Sequence, residues 1–186
     1  MPTGKGIIVG DSLLRPVKEL LSNTNYKTLF LSGATVSSLT DHFFSATRFS
    51  PELWNDSQFI WLLVGTNDID NGLYKDDFFD VNKFIQLYSH LLFTIRAHLR
   101  DVHIVVCGLV PRLVDYKRSK DLMNIVNKRL EKLCRDFGVR FSSVDKGFCF
   151  SGIPQEAYYK PDRLHLSVRG AKLLVKSVQR EAAAVP

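Results

Sequence analysis

The stretch "GIIVGDSLLRP" at residues 6–16 places an acid and a hydroxyl between a short apolar run and a segment with helical spacing. The apolar run predicts a buried strand. Because proline is tolerated only in the first turn of a helix, Pro16 predicts that the next helix begins at residues 13–14. Asp11 and Ser12 then lie on the turn at the carboxyl end of the strand, where open α/β folds bind their ligands. Taken alone, this pattern more often means that the two side chains cap the helix.

The rest of the chain alternates between strand-like and helix-like segments. Further strands are predicted at residues 28–31, 58–64, 102–108 and 139–145, and all but the last of these are nearly continuous apolar runs. Helical spacing recurs weakly at 36–47 and clearly at 88–99, at 119–138 with Ser119 as the predicted cap, and at 168–178 with Ser167 as the predicted cap. Nearly continuous apolar runs are typical of parallel strands covered on both faces. The alternation therefore predicts an α/β fold: a three-layer α/β/α sandwich around a five-stranded parallel sheet, in a single domain over residues 1–186.

Composition limits the kinds of protein that this chain can be. The 186 residues are 45% hydrophobic and 24% charged, which is typical of globular domains rather than disordered chains. The longest strongly apolar run, residues 59–64, is too short to span a bilayer. The three cysteines lack C-x-x-C spacing and the start lacks a signal-peptide pattern, so we expect a cytoplasmic protein without disulfides or a zinc site. No metal or nucleotide motif is found, so no cofactor is expected. The net charge of +6 mildly favours anionic partners.

The segment "PDRLHLS" at residues 161–167 places an acid and a histidine just before the last predicted helix. The spacing of Asp162 and His165 lets the carboxylate fold back on the imidazole Nδ1 and leaves Nε2 free to face a serine. A serine hydroxyl needs such a base to become a nucleophile, and the base needs a third group to hold its tautomer. By itself, an Asp-x-x-His pair is more often a cap beside a surface histidine.

Two further polar motifs follow predicted strands, "LSGAT" at residues 31–35 and "LVGTNDI" at residues 63–69. Asn67 can hold its side-chain amide over the sheet edge, although Asn and Asp are also common in turns. Gly33 has no side chain to shield its N–H from a bound oxygen, although a loop glycine needs no function. The neighbouring acids are interpreted as a solvated loop; they are Asp68, Asp70, Asp76, Asp77 and Asp80.

As a set, these motifs are more specific than any one of them. Each follows one of the first three strands or precedes the last helix, so all can converge on one edge of the sheet. They supply a nucleophile, a base, an orienting acid and three N–H donors: Ser12, His165, Asp162, the backbone amides of Ser12 and Gly33, and the side chain of Asn67. By role, this is a complete site for acyl transfer.

The same motifs resemble those of the SGNH hydrolases, also called GDSL-type esterases and lipases. The resemblance is carried, in family order, by "GDSLL" around Ser12, Gly33 after the second strand, "GTND" around Asn67, and "DRLHLS" followed by Gly170. It implies a flavodoxin-like SGNH hydrolase fold over nearly the whole chain. It also implies a serine esterase that hydrolyses small carboxylic esters or lipids through an acyl-enzyme intermediate, without a cofactor.

Residue by residue, the resemblance assigns a catalytic triad and an oxyanion hole. The triad would be Ser12, Asp162 and His165, and the oxyanion hole would be formed by Ser12, Gly33 and Asn67. The family also contains RNA-binding members that have lost the catalytic residues. A binding module for RNA or an acidic surface is therefore the alternative function.

A narrower resemblance is to the esterase domain in the first open-reading-frame protein of some vertebrate LINE-type retrotransposons. It rests on the compact length, the basic pI of about 9.3 and "CGLVPR" at residues 107–112. It implies a nucleic-acid partner through a larger parent chain. Candidate basic surface is offered by "DYKRSK" at 115–120 and by Arg169, Lys172, Lys176 and Arg180. With 19 acidic residues interspersed, however, the charge argues against a strong phosphate track. No oligomeric state is predicted.

Overall fold

The computed structural model of the chain describes residues 5–49, 54, 57–75 and 78–185, so Asp76 and Asp77 of the acidic stretch lie outside it. Five strands form one parallel sheet in the order β2-β1-β3-β4-β5. Their bounds are β1 Gly6–Gly10, β2 Tyr26–Phe30, β3 Phe59–Leu63, β4 His103–Cys107 and β5 Arg140–Ser142. This is the flavodoxin-like strand order. The predicted fold class is confirmed.

Helices connect the strands and cover both faces of the sheet. They are α1 Arg15–Leu20, α2 Val36–Phe49, α3 Thr66–Tyr74, α4 Val81–His98, α5 Tyr116–Asp136, α6 Asp145–Phe148 and α7 Val168–Ala182. A 3-10 turn, Ser12–Leu14, precedes α1. Between α6 and α7 the chain forms the hairpin β6 Cys149–Phe150 and β7 Ile153–Pro154, followed by the 3-10 turn Glu156–Tyr158.

The sheet lies at the centre of two hydrophobic clusters, because successive strand residues point to opposite faces. In β3, Ile60 and Leu62 pack into the cluster under α2, α4 and α5. Trp61 and Leu63 pack into the other cluster, under α1 and α7. All four side chains are buried. The fully apolar run of β3 is therefore explained by helices on both faces.

Details of two helices differ from the sequence prediction. Ser119 does not cap α5, which begins a turn earlier at Tyr116; Ser119 is buried there and its hydroxyl donates to the Asp115 carbonyl. The sequence predicts a solvated loop around the acids after Asn67, yet the segment Thr66–Tyr74 forms helix α3 directly after Gly65. The predicted cap of α7 is confirmed, since the Ser167 hydroxyl accepts the Gly170 N–H at 3.2 Å. No helix within the described residues is long and apolar enough to cross a membrane.

Candidate active site

The sheet topology brings the polar motifs to one edge. Strand β1 lies between β2 and β3. The chain therefore passes from β1 to its neighbour on one side, β2, and then crosses over to its neighbour on the other side, β3. Open α/β folds form their ligand site at such a switch point, outside the carboxyl ends of the strands. Ser12 begins the 3-10 turn just after β1, Gly33 follows β2, and Asn67 lies in the first turn of α3, just after β3.

Ser12 lies next to His165, the residue predicted from the sequence to act as its base. Its Oγ is 3.1 Å from His165 Nε2, although the two residues are 153 positions apart in the chain. The other ring nitrogen, His165 Nδ1, is 2.9 Å from Asp162 Oδ2. With its proton on Nδ1, the ring donates to Asp162 and leaves Nε2 to accept the serine proton. Three of the predicted site residues are thus joined in one hydrogen-bonded series.

The acid and the histidine are held by a turn four residues long. Asp162 Oδ1 accepts the backbone N–H groups of Leu164 and His165, both at 2.9 Å. Burial alone would raise the pKa of Asp162, but these bonds and the imidazole outweigh it and lower that pKa. Arg163, inside the turn, has a φ of +60°, a left-handed conformation that costs a non-glycine residue energy. The carboxylate is therefore ionised and aimed at the imidazole by local geometry.

The predicted donors Gly33 and Asn67 follow the carboxyl ends of β2 and β3. Among the described residues, no acceptor is hydrogen-bonded to the backbone N–H of Ser12 or of Gly33. Gly33 has a φ of +73°, so the backbone itself favours glycine there; a Cβ would meet no atom within 4 Å. Asn67 Nδ2 donates to the Ala34 carbonyl at 2.9 Å. A primary amide has two N–H groups, so one is left for a bound oxygen.

Asp11 is a structural cap rather than an exposed turn residue. Its side chain is fully buried and Oδ1 accepts the Leu13 N–H at 3.0 Å. Its Oδ2 has no partner at hydrogen-bond distance among the described residues, although the Thr66 N–H is near enough to lower the pKa of the carboxyl slightly. Burial raises the pKa of Asp11 to about 7, more than the Leu13 N–H lowers it. The capping interpretation is thus correct for Asp11, whereas the Ser12 hydroxyl is turned to His165.

The acids after Asn67 are not a solvated loop where the structure describes them. Asp68 accepts the Val36 N–H, at the start of α2, with both oxygens at 3.0 and 3.3 Å. Burial raises the pKa of Asp68 to about 6, against the lowering effect of that N–H. Asp80 caps α4 by accepting the Lys83 N–H at 3.0 Å. These carboxylates therefore fix helix starts around the candidate site.

A buried arginine beside the site is not among the residues that the sequence predicts. Arg112 is only 2% exposed, and its guanidinium donates to Asp115, to Asp70 and to the Thr66 carbonyl. Burial would lower the pKa of Arg112, but the two carboxylates outweigh it and raise that pKa. For Asp115, burial alone would raise the pKa, but the hydrogen bonds from Arg112 and Tyr74 outweigh it and lower the pKa below its usual value. The one available signal was position, since Arg112 is the first charged residue after the apolar run of β4.

A cavity of about 560 Å³ opens beside α3 on the side away from Arg112; Asp68 lines it together with Thr35, Asn71, Phe79, Lys83 and Phe84. Asp68 belongs to the same helical turn as Asn67, so the cavity adjoins the start of α3.

In the part of the chain that the structure describes, no group of three or more His, Cys, Asp or Glu side chains is arranged to hold a metal ion.

Known structures share this architecture. A GDSL-like lipase from Bacteroides thetaiotaomicron has a TM-score of 0.76 at 12% identity, covering 96% of this chain and 87% of its own. An acetyl xylan esterase has a TM-score of 0.72 at 15% identity, with coverage of 95% and 98%. A catalytic mutant of an acetylxylan esterase from Geobacillus stearothermophilus has a TM-score of 0.71 at 13% identity, with coverage of 97% and 94%. The fold is that of the SGNH hydrolases.

The family follows from the sequence itself. A family model for GDSL-like lipases and acylhydrolases matches residues 10–173, nearly the whole chain. The protein belongs to the GDSL-like lipase/acylhydrolase family. A search of curated proteins finds no match. These comparisons lend no support to the narrower resemblance to a retrotransposon domain, which stays a prediction.

Proposed function

We propose that the protein is a serine esterase that hydrolyses small carboxylic esters through an acyl-enzyme intermediate. One observation carries the proposal: the hydrogen-bonded series from Ser12 Oγ through the His165 ring to Asp162, with distances of 3.1 and 2.9 Å. A nucleophile within hydrogen-bond reach of a base, itself oriented by a third group, is the arrangement that activates a serine hydroxyl.

In the proposed reaction, Ser12 Oγ attacks the ester carbonyl while His165 Nε2 takes the hydroxyl proton. The C–O bond to the alcohol then breaks, and His165 returns the proton to the departing oxygen. Water, deprotonated by the same nitrogen, attacks the acyl-enzyme; the acid is released and the serine hydroxyl restored. Asp162 holds the ring in the tautomer that both steps need and stabilises the imidazolium formed between them.

The negative charge that develops on the carbonyl oxygen needs donors that are fixed before the reaction. The backbone N–H groups of Ser12 and Gly33 and the second side-chain N–H of Asn67 are proposed for this role. The Ser12 amide also begins the 3-10 turn that leads into α1, and N–H groups at the start of such a segment favour negative charge.

The substrate class rests on the family and its structural neighbours. An acylhydrolase family implies an acyl ester, and two of the similar structures are acetylxylan esterases. The candidate acid and base are half-exposed, with side-chain accessibilities of 50% for Asp162 and 40% for His165. An open site of this kind fits short acyl groups on varied alcohols better than a long buried chain.

A panel of p-nitrophenyl esters from acetate to long acyl chains tests the proposal. We expect wild-type turnover to be highest on the short esters and Ser12→Ala to abolish it. Ser22→Ala is the matched control, because Ser22 lies just beyond the far end of α1, where its hydroxyl donates to the Glu19 carbonyl. Turnover by Ser12→Ala within tenfold of wild type would refute the assignment.

The same preparations test the alternative of a binding module. Part of the candidate basic surface is already engaged within the protein: Arg118 stacks on Tyr74 and donates to the Leu73 carbonyl, and Arg180 pairs with Glu181. Binding of single-stranded RNA measured by fluorescence anisotropy at two salt concentrations should therefore be weak. Tight, salt-sensitive RNA binding together with no turnover on any ester would reverse the ranking.

A further inference from the structure

The loop after β4, residues 108–115, touches both halves of the candidate site. On one side Arg112 contacts α3, the helix that carries Asn67. On the other side the Val114 N–H donates to the Arg163 carbonyl at 2.9 Å, inside the turn that holds Asp162 and His165. The loop is also anchored to α5 through Asn127. The Asn127 side chain accepts the Leu109 N–H at 2.7 Å and donates to the Leu109 carbonyl at 3.2 Å.

Arg112 is the charged centre of this loop. Its Nη2 is 2.7 Å from Asp70 Oδ1 and 2.8 Å from Asp115 Oδ2, and its Nε is 3.0 Å from both Asp115 oxygens. The Tyr74 hydroxyl donates to the same Asp115 carboxylate at 2.8 Å. Burying an unpaired charge is costly, and Arg112 is only 2% exposed. The two carboxylates therefore compensate for the loss of solvation of its guanidinium.

The remaining contact points to a role beyond stability. Arg112 Nη1 donates to the Thr66 carbonyl at 3.3 Å. That carbonyl belongs to the peptide unit that joins Thr66 to Asn67, and Asp70 lies on the next turn of the same helix. Arg112 therefore holds α3 on both sides of Asn67, at the peptide bond before it and at the carboxylate one turn later.

We infer that Arg112 is a positioning residue that fixes Asn67 as an oxyanion donor through the Thr66 carbonyl and Asp70. The inference rests on the proposed function. Donors stabilise a developing oxyanion only when they are already in place, and displacement by about 1 Å can cost about 10²-fold in rate. The Asn67 side chain has one described anchor, the Ala34 carbonyl, so its remaining freedom is limited by how firmly α3 itself is held.

Arg112→Lys is the most direct variant. It keeps the positive charge but loses the planar fork, so one ammonium cannot serve Asp115, Asp70 and the Thr66 carbonyl together. We expect kcat on the best short ester to fall about 10- to 100-fold while KM changes by less than about twofold. If Arg112→Lys does not fold, Asp70→Asn is the second variant: it keeps an acceptor oxygen for Arg112 but removes the charge of one half-exposed partner, so a smaller loss of kcat is expected.

A double-mutant cycle separates positioning from general destabilisation. In an Asn67→Ala background, where the donor is already missing, Arg112→Lys should lower kcat by less than about threefold. Amide hydrogen exchange over residues 66–70 should also be faster in Arg112→Lys than in wild type. A purely structural role would lower the melting temperature without producing this dependence on Asn67.

Glu181→Gln is the control for breaking a buried ion cluster. Glu181 is buried among Ser142, Arg140 and Arg180, in the last turn of α7, about 20 Å along the helix from Ser167. We expect it to lower stability with kcat and exchange at residues 66–70 unchanged. Hydrolysis that persists in Ser12→Ala would overturn the proposed function and this inference with it. Serine-dependent hydrolysis with equal Arg112→Lys losses in both backgrounds would overturn the inference alone.

Discussion

The two halves of the candidate site are fixed in different ways. The base half, Asp162 and His165, is held within one turn: the carboxylate binds two backbone amides and the imidazole of a residue three positions later. The donor half, Gly33 and Asn67, depends on contacts between distant segments, such as Asn67 to Ala34 and Arg112 to α3. Residues that are aligned by contacts within one turn, such as Asp162 and His165, stay aligned even when they are half-exposed to solvent. Residues brought together from distant segments need buried contacts, such as those of Arg112, to hold them in place.

The largest effect is expected where the two halves meet, at the serine and its base. His165→Ala removes the group that accepts the serine proton, so kcat should fall by about 10⁴-fold or more. Adding Ser12→Ala should cost little further, because the two residues act as a unit. Ester hydrolysis followed under substrate saturation measures both variants, with circular dichroism to verify the fold. A double variant far slower than either single variant would show that they act independently.

Loss of a donor should be the next largest effect. Asn67→Ala removes the one side-chain donor, so kcat should fall by about 10²–10³-fold, or about 2.7–4 kcal/mol, with a smaller change in KM. Steady-state kinetics on a short ester measures the split. An effect confined to KM would mean that Asn67 binds substrate or shapes the turn instead.

A smaller loss is expected on the base half. Asp162→Asn keeps the oxygen that accepts the Leu164 and His165 amides but presents a neutral group to the imidazole. The change favours the wrong tautomer, which costs about 10⁴-fold at a buried triad acid. Because Asp162 is half-exposed, water can replace part of its effect, and we expect about 10- to 100-fold in kcat. Asp136→Asn, on the exposed side of α5, is the matched control. Unchanged kinetics in Asp162→Asn would remove this residue from the proposed triad.

The same contrast explains how much could be predicted from the sequence. The apolar runs of β1, β3 and β4 predict the central strands because those strands are buried between the helices. The Asp-x-x-His spacing predicts a contact because both residues lie in one turn. Ser119 was misassigned as a cap because Asp115, engaged by Arg112, starts α5 a turn earlier. The partial burial of Asp68 and the ion pair of the half-exposed Asp70 are not predicted, because their partners, Val36 and Arg112, come from segments far away in the chain. The spacing of residues in the sequence predicts single helices, strands and turns. It does not predict which charged side chains from distant segments pair with one another.

The last expected effect is on stability rather than on rate, and it tests the buried carboxyl of Asp11, next to Ser12 in the chain. In the unfolded chain Asp11 ionises near its ordinary pKa of 3.8, whereas burial raises the pKa of the folded protein's carboxyl to about 7. Between these values the folded state holds a proton that the unfolded state has lost, so the free energy of unfolding falls as pH rises from about 4 to about 7.

Asp11→Asn is neutral at every pH and its Oδ1 can still accept the Leu13 N–H, so it isolates this contribution. The variant's stability relative to wild type should rise by up to about 1.4 kcal/mol per pH unit across the window and level off above pH 7. Urea unfolding of both proteins from pH 5 to 8 measures the difference, with Asp121→Asn on the exposed side of α5 as a control expected to parallel wild type. A stability difference between wild type and Asp11→Asn that does not change with pH would mean that the Asp11 carboxyl is ionised in the fold, with a partner for Oδ2. The interior would then hold a further charge besides that of Arg112, and a contact from a distant segment would be needed to pair it.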